Sequence, residues 1–334
     1  MRQNSSAVLV IKYFFFYVIL FQIHMFKYER YISVIVIMVC ILYAMTSLLS
    51  IYGNTLVIWI VTTTKALQNV NDLFIANLAL SDVTIALFCI PFQSYAALVQ
   101  RWDLPEFMCK FCPMAQMAII NVSIFTLIAI AKERYRAVIN PMGLQTSRFE
   151  ARIYLALIWI FSVLFAIPVG LAHVFTYKPD KLLGAKPFCS PYETFQERKE
   201  RLNFIFSSNQ MKGYDLYMLL MFGVQYAFPF AYLTSKYAAM AHCLWKTNLA
   251  PGNPDEDRDE NILAQRKRSV KMMITVVTMF GICWLPWHAF HCARLIWPKM
   301  MKYFELYQNT IVNTEFLLFL GMNTSMWFSL SVIG

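Results

Sequence analysis

The sequence predicts an all-α membrane protein, a seven-transmembrane helical bundle, from its composition and the lengths of its apolar stretches. Of its 334 residues, 59% are hydrophobic and 14% are charged, and the mean hydropathy is +0.50. A soluble domain carries about 25% charged residues. Each stretch can cross about 30 Å of hydrocarbon as a helix, which satisfies its own backbone hydrogen bonds in lipid. The stretches cover residues 32–61, 73–99, 107–131, 153–175, 214–243, 270–297 and 311–333.

An additional apolar segment, residues 7–26, precedes the first predicted helix. It follows a glycosylation-type triplet that begins at Asn4, and no small-residue cleavage pattern comes after it. Three interpretations stay open: a signal peptide, an extra helix, and a start site placed too far upstream. We therefore divide the chain into an N-terminal segment, 1–30, and a seven-helix transmembrane domain, 31–334.

Charge and motifs argue against several functional classes. The net charge of +10 does not indicate nucleic-acid binding, because the sequence has no basic stripe with interleaved aromatic residues. Lys and Arg usually mark cytoplasmic loops, but the long loop 176–213 is also basic and leaves the orientation open. No phosphate loop, zinc motif or nucleophile–base pattern supports an enzyme or a resident metal. A transporter would show matched repeats with broken helices, and the sequence has none.

Polar side chains interrupt the first three stretches. Asn54 lies in the first and Asp82 in the second, and each needs an interhelical partner at membrane depth, so we expect them to bond each other. Glu133-Arg134-Tyr135 closes the third stretch. We expect Glu133 to neutralise Arg134 at rest and to release it toward a cytoplasmic partner on activation. The alternatives are a structural hydrogen-bond hub and a simple paired charge at the interface.

An ordered set of motifs, here called signposts, follows the spans. The signposts are Gly53-Asn54, the run Leu78-Ala79-Leu80-Ser81-Asp82, Trp102 before Cys109, Glu133-Arg134-Tyr135, Trp159, Pro168, Pro229, Tyr237, Phe280 and Cys283-Trp284-Leu285-Pro286. Together they resemble the rhodopsin class of G-protein-coupled receptors over residues 40 to 326. The resemblance implies a multi-pass receptor of the plasma membrane with an extracellular N-terminus. Its implied partners are a ligand, a heterotrimeric G protein and the lipid membrane.

The resemblance also implies roles for particular residues. The activation switch would comprise Glu133, Arg134, Tyr135, Tyr237, Phe280, Trp284 and Pro286. A sodium ion would sit near Asp82 with Ser123 and Asn54, and no other cofactor is implied. A disulfide would join Cys109 to Cys189, with Cys112 as the competing thiol. Because Pro229 and Pro286 lie mid-helix, we expect kinks at both.

The ligand is predicted to be an amidated neuropeptide. In the amine receptors of this class an Asp stands where this chain has Gln116, so an amine is disfavoured and an amide suits the neutral contact. The candidate ligand-binding residues are Gln93, Trp102, Gln116, Trp284, Trp287, His288, His291 and Glu315. Residues 87–116, 121–141 and 244–260 resemble invertebrate kinin (leucokinin) receptors, which implies calcium signalling. The alternative is a tachykinin- or RFamide-type receptor.

The predicted seventh span departs from the family pattern. Phe328 and Ser329 stand where the family has Asn and Pro. We therefore expect a weakened sodium site and a truncated, non-signalling form. A wrongly assembled last exon and a genuinely altered receptor both stay open. A smaller departure is Lys132, which we expect to compete with Arg134 for Glu133.

Overall fold

The computed structural model describes residues 34–64, 69–92, 95, 101–140, 142–180, 184–190, 213–246 and 256–296. Within them, six helices are long and apolar enough to cross a membrane. These spans, numbered one to six, are Ala44–Thr63, Val70–Phe92, Glu106–Ile139, Arg148–Ala172, Leu216–Lys246 and Ile262–Ala289. The helices themselves cover Val34–Thr63, Val70–Phe88, Glu106–Ile139, Arg148–Ala172, Gly213–Phe222, Phe228–Lys246 and Glu256–Ile296. The predicted seventh span and the segment 7–26 lie outside the described residues.

The helices extend beyond the apolar stretches that predicted them. The third continues to Ile139, through Glu133-Arg134-Tyr135, and the last begins at Glu256 rather than at residue 270. Residues 256–268 are mostly charged, but Glu, Arg, Lys, Gln, Leu and Ala are all good helix formers. Hydropathy marks only the part of a helix that suits lipid, so it underestimated both lengths.

The two larger apolar clusters of the described residues fill the interior of the bundle. One joins all six spans around Leu78, Ile130 and Met240, each of which is fully buried, and span four contributes Ala151 to it. The other lies toward the disulfide end of the bundle and contains Phe280 and Trp284. Span four is peripheral, because its large apolar side chains are exposed. Such a surface is what lipid would cover.

A polar junction ties spans two, three and four together. The Asn77 Nδ2 donates to Thr126 Oγ1 at 2.9 Å, and Trp159 Nε1 donates to Asn77 Oδ1 at 3.0 Å. Interhelical bonds of this kind hold helices together where the apolar surroundings offer no other polar partner. The sequence marked Trp159 as a signpost, but its partner across 82 positions of the chain was not predictable.

Span five is distorted beside Pro229. Residues Gly223–Ala227 form a π-helical turn between two α-helical segments. Pro229 has no N–H with which to bond the carbonyl of Gln225, and the wider turn accommodates that break. The predicted kink therefore takes the form of a π-turn, which changes the direction in which the preceding side chains point.

The long loop after span four contains a β-hairpin, which the sequence did not predict. Strand β1, Val174–Asp180, pairs antiparallel with β2, Gly184–Ser190, and Phe175 lies opposite Cys189. The Trp102 backbone N–H donates to the carbonyl of Pro187 at 2.9 Å, so the hairpin also contacts the loop after span two.

Candidate functional site

The disulfide end of the bundle is closed by the hairpin. A disulfide joins Cys109 at the start of span three to Cys189 of β2, with 5.7 Å between the Cα atoms. This pairing is the predicted one, and Cys112 is a buried thiol one helical turn further along. Trp102 packs against both Cys109 and Cys112 and is only 6% exposed. The Trp102 ring therefore supports the disulfide, and its assignment as a ligand contact stays a prediction.

A charged cluster at the same end was missed in the sequence. Asp103 Oδ2 accepts a hydrogen bond from the Tyr95 hydroxyl at 2.8 Å and pairs with Arg101 Nε at 2.5 Å. Burial of the phenol, together with the neighbouring Asp103 carboxylate, raises the pKa of Tyr95 to about 12. Tyr95 therefore stays a neutral hydrogen-bond donor at physiological pH. The signal that could have found this cluster is the close spacing of Arg101 and Asp103.

The interior below the disulfide carries the predicted aromatic relay. Trp284 lies 6.3 Å from Phe280 and 6.0 Å from His288, measured between ring centroids. Tyr226 of span five lies 5.1 Å from His288 and 6.2 Å from Phe280. The relay therefore crosses from span six to span five, whereas the sequence placed it in span six alone. His288 is 3% exposed, so it is a component of the buried stack.

Two amide side chains face each other beside this relay. Gln225 Nε2 donates to Asn121 Oδ1 at 2.8 Å, and both side chains are buried. The Asn121 Nδ2 has no hydrogen-bond partner in the described part of the chain. Gln116, one to two turns away on span three, is also buried. The predicted Gln116 is thus one member of a neutral polar set, and the π-turn that turns Gln225 inward was not predictable.

Spans five and six meet closely at Gly281. The Tyr226 hydroxyl donates to the Gly281 carbonyl at 3.1 Å. A Cβ on Gly281 would lie 2.5 Å from Cε2 of Phe230, so only glycine fits there. Pro286 follows five residues later inside the same helix. The contact therefore lies directly before the predicted kink.

The switch end of the bundle, around Glu133 and Arg134, differs from the prediction. Glu133 Oε1 accepts a hydrogen bond from Thr146 at 2.8 Å and lies 3.7 Å from Arg136 Nη1. The predicted Glu133–Arg134 pair is therefore wrong for this structure, because Arg136 of the same helix and Thr146 of the following loop take its place. The buried Nε of Arg134 has no hydrogen-bond partner among the described residues. Arg134 is instead close enough to Tyr237 to interact with it electrostatically.

Neighbouring lysines contact aromatic rings. The Lys132 ammonium lies 4.7 Å from the ring centroid of Tyr154, so the competitor for Glu133 is Arg136 and the expectation for Lys132 was wrong. Lys236 of span five lies 4.2 Å from the ring of Tyr135. Such cation–π contacts hold the ends of spans three, four and five together.

The polar hub also differs from the expectation. Asn54 Nδ2 donates to the carbonyl of Ser50 at 3.0 Å, in its own helix, rather than to Asp82. Asp82 and Ser123 are buried as expected. The Oδ1 of Asn54 and the Oγ of Ser123 have no hydrogen-bond partner among the described residues. Buried oxygen atoms of this kind suit a small hard cation, so the residues present fit the sodium ion that the resemblance implies.

Several predicted residues cannot be placed. Asn4, Gln93 and Glu315 lie outside the described residues. His291 belongs to the helix that ends at Ile296, but its side chain also lies outside what the structure describes. Trp287 packs partly buried against the Trp284 cluster.

Comparison with known families decides the class of protein. Residues 53–327 match the profile of the seven-transmembrane receptors of the rhodopsin family. The chain belongs to this family. The match ends directly before Phe328, where the sequence departs from the expected seventh span. The receptor is thus a multi-pass membrane protein of a signalling class, not of an enzyme class.

Curated relatives of the receptor are neuropeptide receptors. It is 32% identical to a QRFP-like peptide receptor of Branchiostoma floridae over 250 residues. The aligned region covers 74% of this chain and 62% of the relative. It is 29% identical to the RYamide receptor of Tribolium castaneum, over 74% of this chain and 65% of the relative. It is 31% identical to the tachykinin-like peptides receptor 99D of Drosophila melanogaster, over 75% of this chain and 46% of the relative. The chain spans less than two thirds of the length of each of these three relatives.

Proposed function

We propose that this receptor binds the amidated end of a short peptide between the hairpin and the aromatic relay. The observation that carries the proposal is the buried polar interior formed by the neutral amides of Gln116, Asn121 and Gln225, with His288 beside them. Among the buried polar residues that the structure describes, Asp82 is the one carboxylate. A carboxamide can bond to neutral amides without leaving a charge desolvated, whereas an ammonium group could not.

The relatives favour the RFamide- and tachykinin-type alternative over the kinin-type ligand that the loop sequences suggested. QRFP-like peptides, RYamides and tachykinin-like peptides are the ligands that their names state. We therefore place an RFamide- or RYamide-type peptide first and a kinin second. An aromatic residue next to the terminal amide would stack against rings such as Trp284 and Tyr226.

The proposed contact with the signalling partner lies at the switch end of the bundle. We propose that the receptor lies in the plasma membrane with its N-terminus outside, and that the Arg134 end contacts a heterotrimeric G protein of the calcium branch. Arg134 forms no ion pair with Glu133 in the described part of the chain and interacts electrostatically with Tyr237. The guanidinium is then available to hydrogen-bond a peptide carbonyl of the partner.

The ligand prediction is tested with a calcium assay in cells that express the receptor. An RFamide or RYamide peptide is expected to raise calcium, and the same peptide as a free acid should be at least about tenfold weaker, because the buried polar residues that the structure describes include no lysine or arginine to pair with a desolvated carboxylate. Gln116→Leu should lower the potency of the amide but not of the free acid. A full panel of amidated peptides without response, at confirmed surface expression, contradicts the proposal.

The same assay tests the departure at the predicted seventh span. A version with Phe328→Asn and Ser329→Pro is expected to respond more strongly than the chain as it stands, because a proline lets the span bend inward and an amide gives it a polar contact. Equal responses from both versions, at equal surface expression, show that these two positions do not limit signalling.

The sodium prediction concerns Asp82. We propose that a sodium ion binds near Asp82, Ser123 and Asn54, and that it binds weakly because Phe328 and Ser329 replace an expected polar partner. Peptide affinity should therefore change less than about twofold when sodium replaces an inert cation. A strong loss of affinity in sodium that disappears in Asp82→Asn shows that the site is not weakened.

A further inference from the structure

Three residues form a closed set of contacts at the switch end, here named the acid clamp: Glu133, Arg136 and Thr146. The Thr146 hydroxyl donates to Glu133 Oε1 at 2.8 Å and accepts from Arg136 Nη1 at 3.1 Å. The Arg136 guanidinium also lies 3.7 Å from the same carboxylate oxygen. Each polar group of the clamp thus contacts both of the others.

The position of Thr146 is fixed by the structure on both sides of it. The Gly143 N–H donates to the carbonyl of Asn140 at 3.1 Å, which turns the chain back after span three. Ser147 caps span four, with its hydroxyl accepting from the N–H of Glu150 and the Glu150 side chain accepting from the N–H of Ser147. Such a capping box fixes the start of a helix. Thr146, directly before this cap, is therefore held over Glu133.

The clamp determines which cation Glu133 meets. Glu133 and Arg134 are adjacent in sequence, but the carboxylate is engaged by Thr146 and Arg136. Arg134 is left without a hydrogen bond to its buried Nε and near Tyr237. Both contacts are made by Oε1 of Glu133 and fix the direction in which the carboxylate points, so a Glu133 held in the clamp forms no ion pair with Arg134.

We propose that Thr146 and Arg136 are positioning residues for G-protein coupling, which act by holding Glu133 away from Arg134. This inference rests on the proposed coupling to a G protein. Both residues lie outside the signposts Glu133, Arg134 and Tyr135, and their effect passes through Glu133. The clamp sets the fraction of receptor molecules in which Arg134 is available to the G protein before any peptide binds.

Arg134 and Arg136 compete for Glu133, and this competition decides whether loss of the Thr146 hydroxyl raises or lowers coupling. The Arg136 side chain is 48% exposed, so its attraction for Glu133 is weakened by solvent. Arg134 is more buried, and a pair with Glu133 would be less screened there. Without the Thr146 hydroxyl, Glu133 keeps only the partly exposed partner at 3.7 Å and turns to Arg134.

The test measures agonist-free guanine-nucleotide exchange on a co-reconstituted G protein, for the full chain and for the Phe328→Asn, Ser329→Pro version. Thr146→Val is expected to lower this basal exchange roughly three- to tenfold, the effect of losing one hydrogen bond of ordinary strength. Thr146→Ser keeps the hydroxyl and should match the unmodified receptor. Arg136→Gln should also lower basal exchange, whereas Arg148→Gln, which removes an equal but exposed charge nearby, should not.

A second background separates positioning from a general structural effect. In Glu133→Gln the carboxylate is gone, so Thr146→Val should add no further change. Equal basal exchange in Thr146→Val and Thr146→Ser, at equal surface expression, overturns the proposal, as does an additional loss in the Glu133→Gln background.

The clamp itself is tested without a G protein, by measuring the rates of amide hydrogen exchange of residues 142–147. These amides should exchange several-fold faster in Thr146→Val than in Thr146→Ser, and equal rates overturn the clamp. If no amidated peptide stimulates guanine-nucleotide exchange on the G protein, in the full chain or in the Phe328→Asn, Ser329→Pro version, the proposed function fails. The hydrogen-exchange result still decides whether the clamp exists, so the two failures are distinguishable.

Discussion

Replacing Cys189 with serine is expected to abolish high-affinity peptide binding and to lower the free energy of unfolding by about 2–4 kcal/mol. The disulfide closes a loop of 80 positions between span three and the hairpin. Without the disulfide, the backbone hydrogen bond from the Trp102 N–H to the Pro187 carbonyl is the one that still ties the hairpin to the loop after span two, among the described residues. Cys109→Ser should have the same effect, because either change removes the same bond.

The measurements are radioligand binding and thermal unfolding of the purified receptor. Cys112→Ser is the matched control, because Cys112 is a buried thiol in the same cluster and its loss removes no covalent bond. It should cost less than either disulfide variant, because no covalent bond is lost and the new hydroxyl can bond the carbonyl of the preceding helical turn. A Cys112→Ser variant as damaged as Cys189→Ser would show that Cys112 forms the functional bridge in cells.

The second large effect is expected at Gly281. Gly281→Ala would place a Cβ 2.5 Å from Cε2 of Phe230, closer than any ordinary contact. The Phe230 ring stacks on Tyr226 with 5.8 Å between centroids, so it cannot move without disturbing the Tyr226–Gly281 hydrogen bond. We expect a loss of about 1–3 kcal/mol, the usual cost of overpacking a core.

Thermal unfolding in detergent measures this effect, with two comparisons. Phe230→Leu combined with Gly281→Ala should recover most of the lost stability, because the shorter side chain removes the clash. Gly223→Ala serves as the control, since no atom lies within 4 Å of a Cβ placed there. A Gly281→Ala variant as stable as Gly223→Ala would contradict the close approach of spans five and six.

The sequence predicted the parts of the molecule that depend on composition along the chain. Six spans could be located because lipid imposes a minimum length of apolar helix, and that length is visible in the residues alone. Asp82 could be named because a carboxylate at membrane depth is uncommon, whereas Gln116 and Trp284 came from the family resemblance. The Cys109–Cys189 pair came from the family resemblance, and the structure contains it.

The parts that failed depend on where loops return and on how helices are locally wound. Thr146 is 13 positions from Glu133, and only the folded loop brings its hydroxyl to the carboxylate. Adjacency in sequence made Arg134 the obvious partner, yet neighbouring helical residues point in different directions. Gln225 was missed for a related reason, because a π-turn cannot be recognised from hydropathy.

The π-turn at Gly223–Ala227 also affects how substitutions along span five should be interpreted. One extra residue in a turn shifts the helical phase by about 100°. Residues before Gly223 and residues after Ala227 therefore follow the same helical period with different phases, so their buried faces must be assigned separately. A scanning experiment on this span should show sensitive positions with one periodicity around Tyr217 and Met221 and an offset periodicity around Leu233 and Tyr237. A single-residue deletion within the turn would merge the two phases, rotating the half of span five at the disulfide end relative to the half at the switch end.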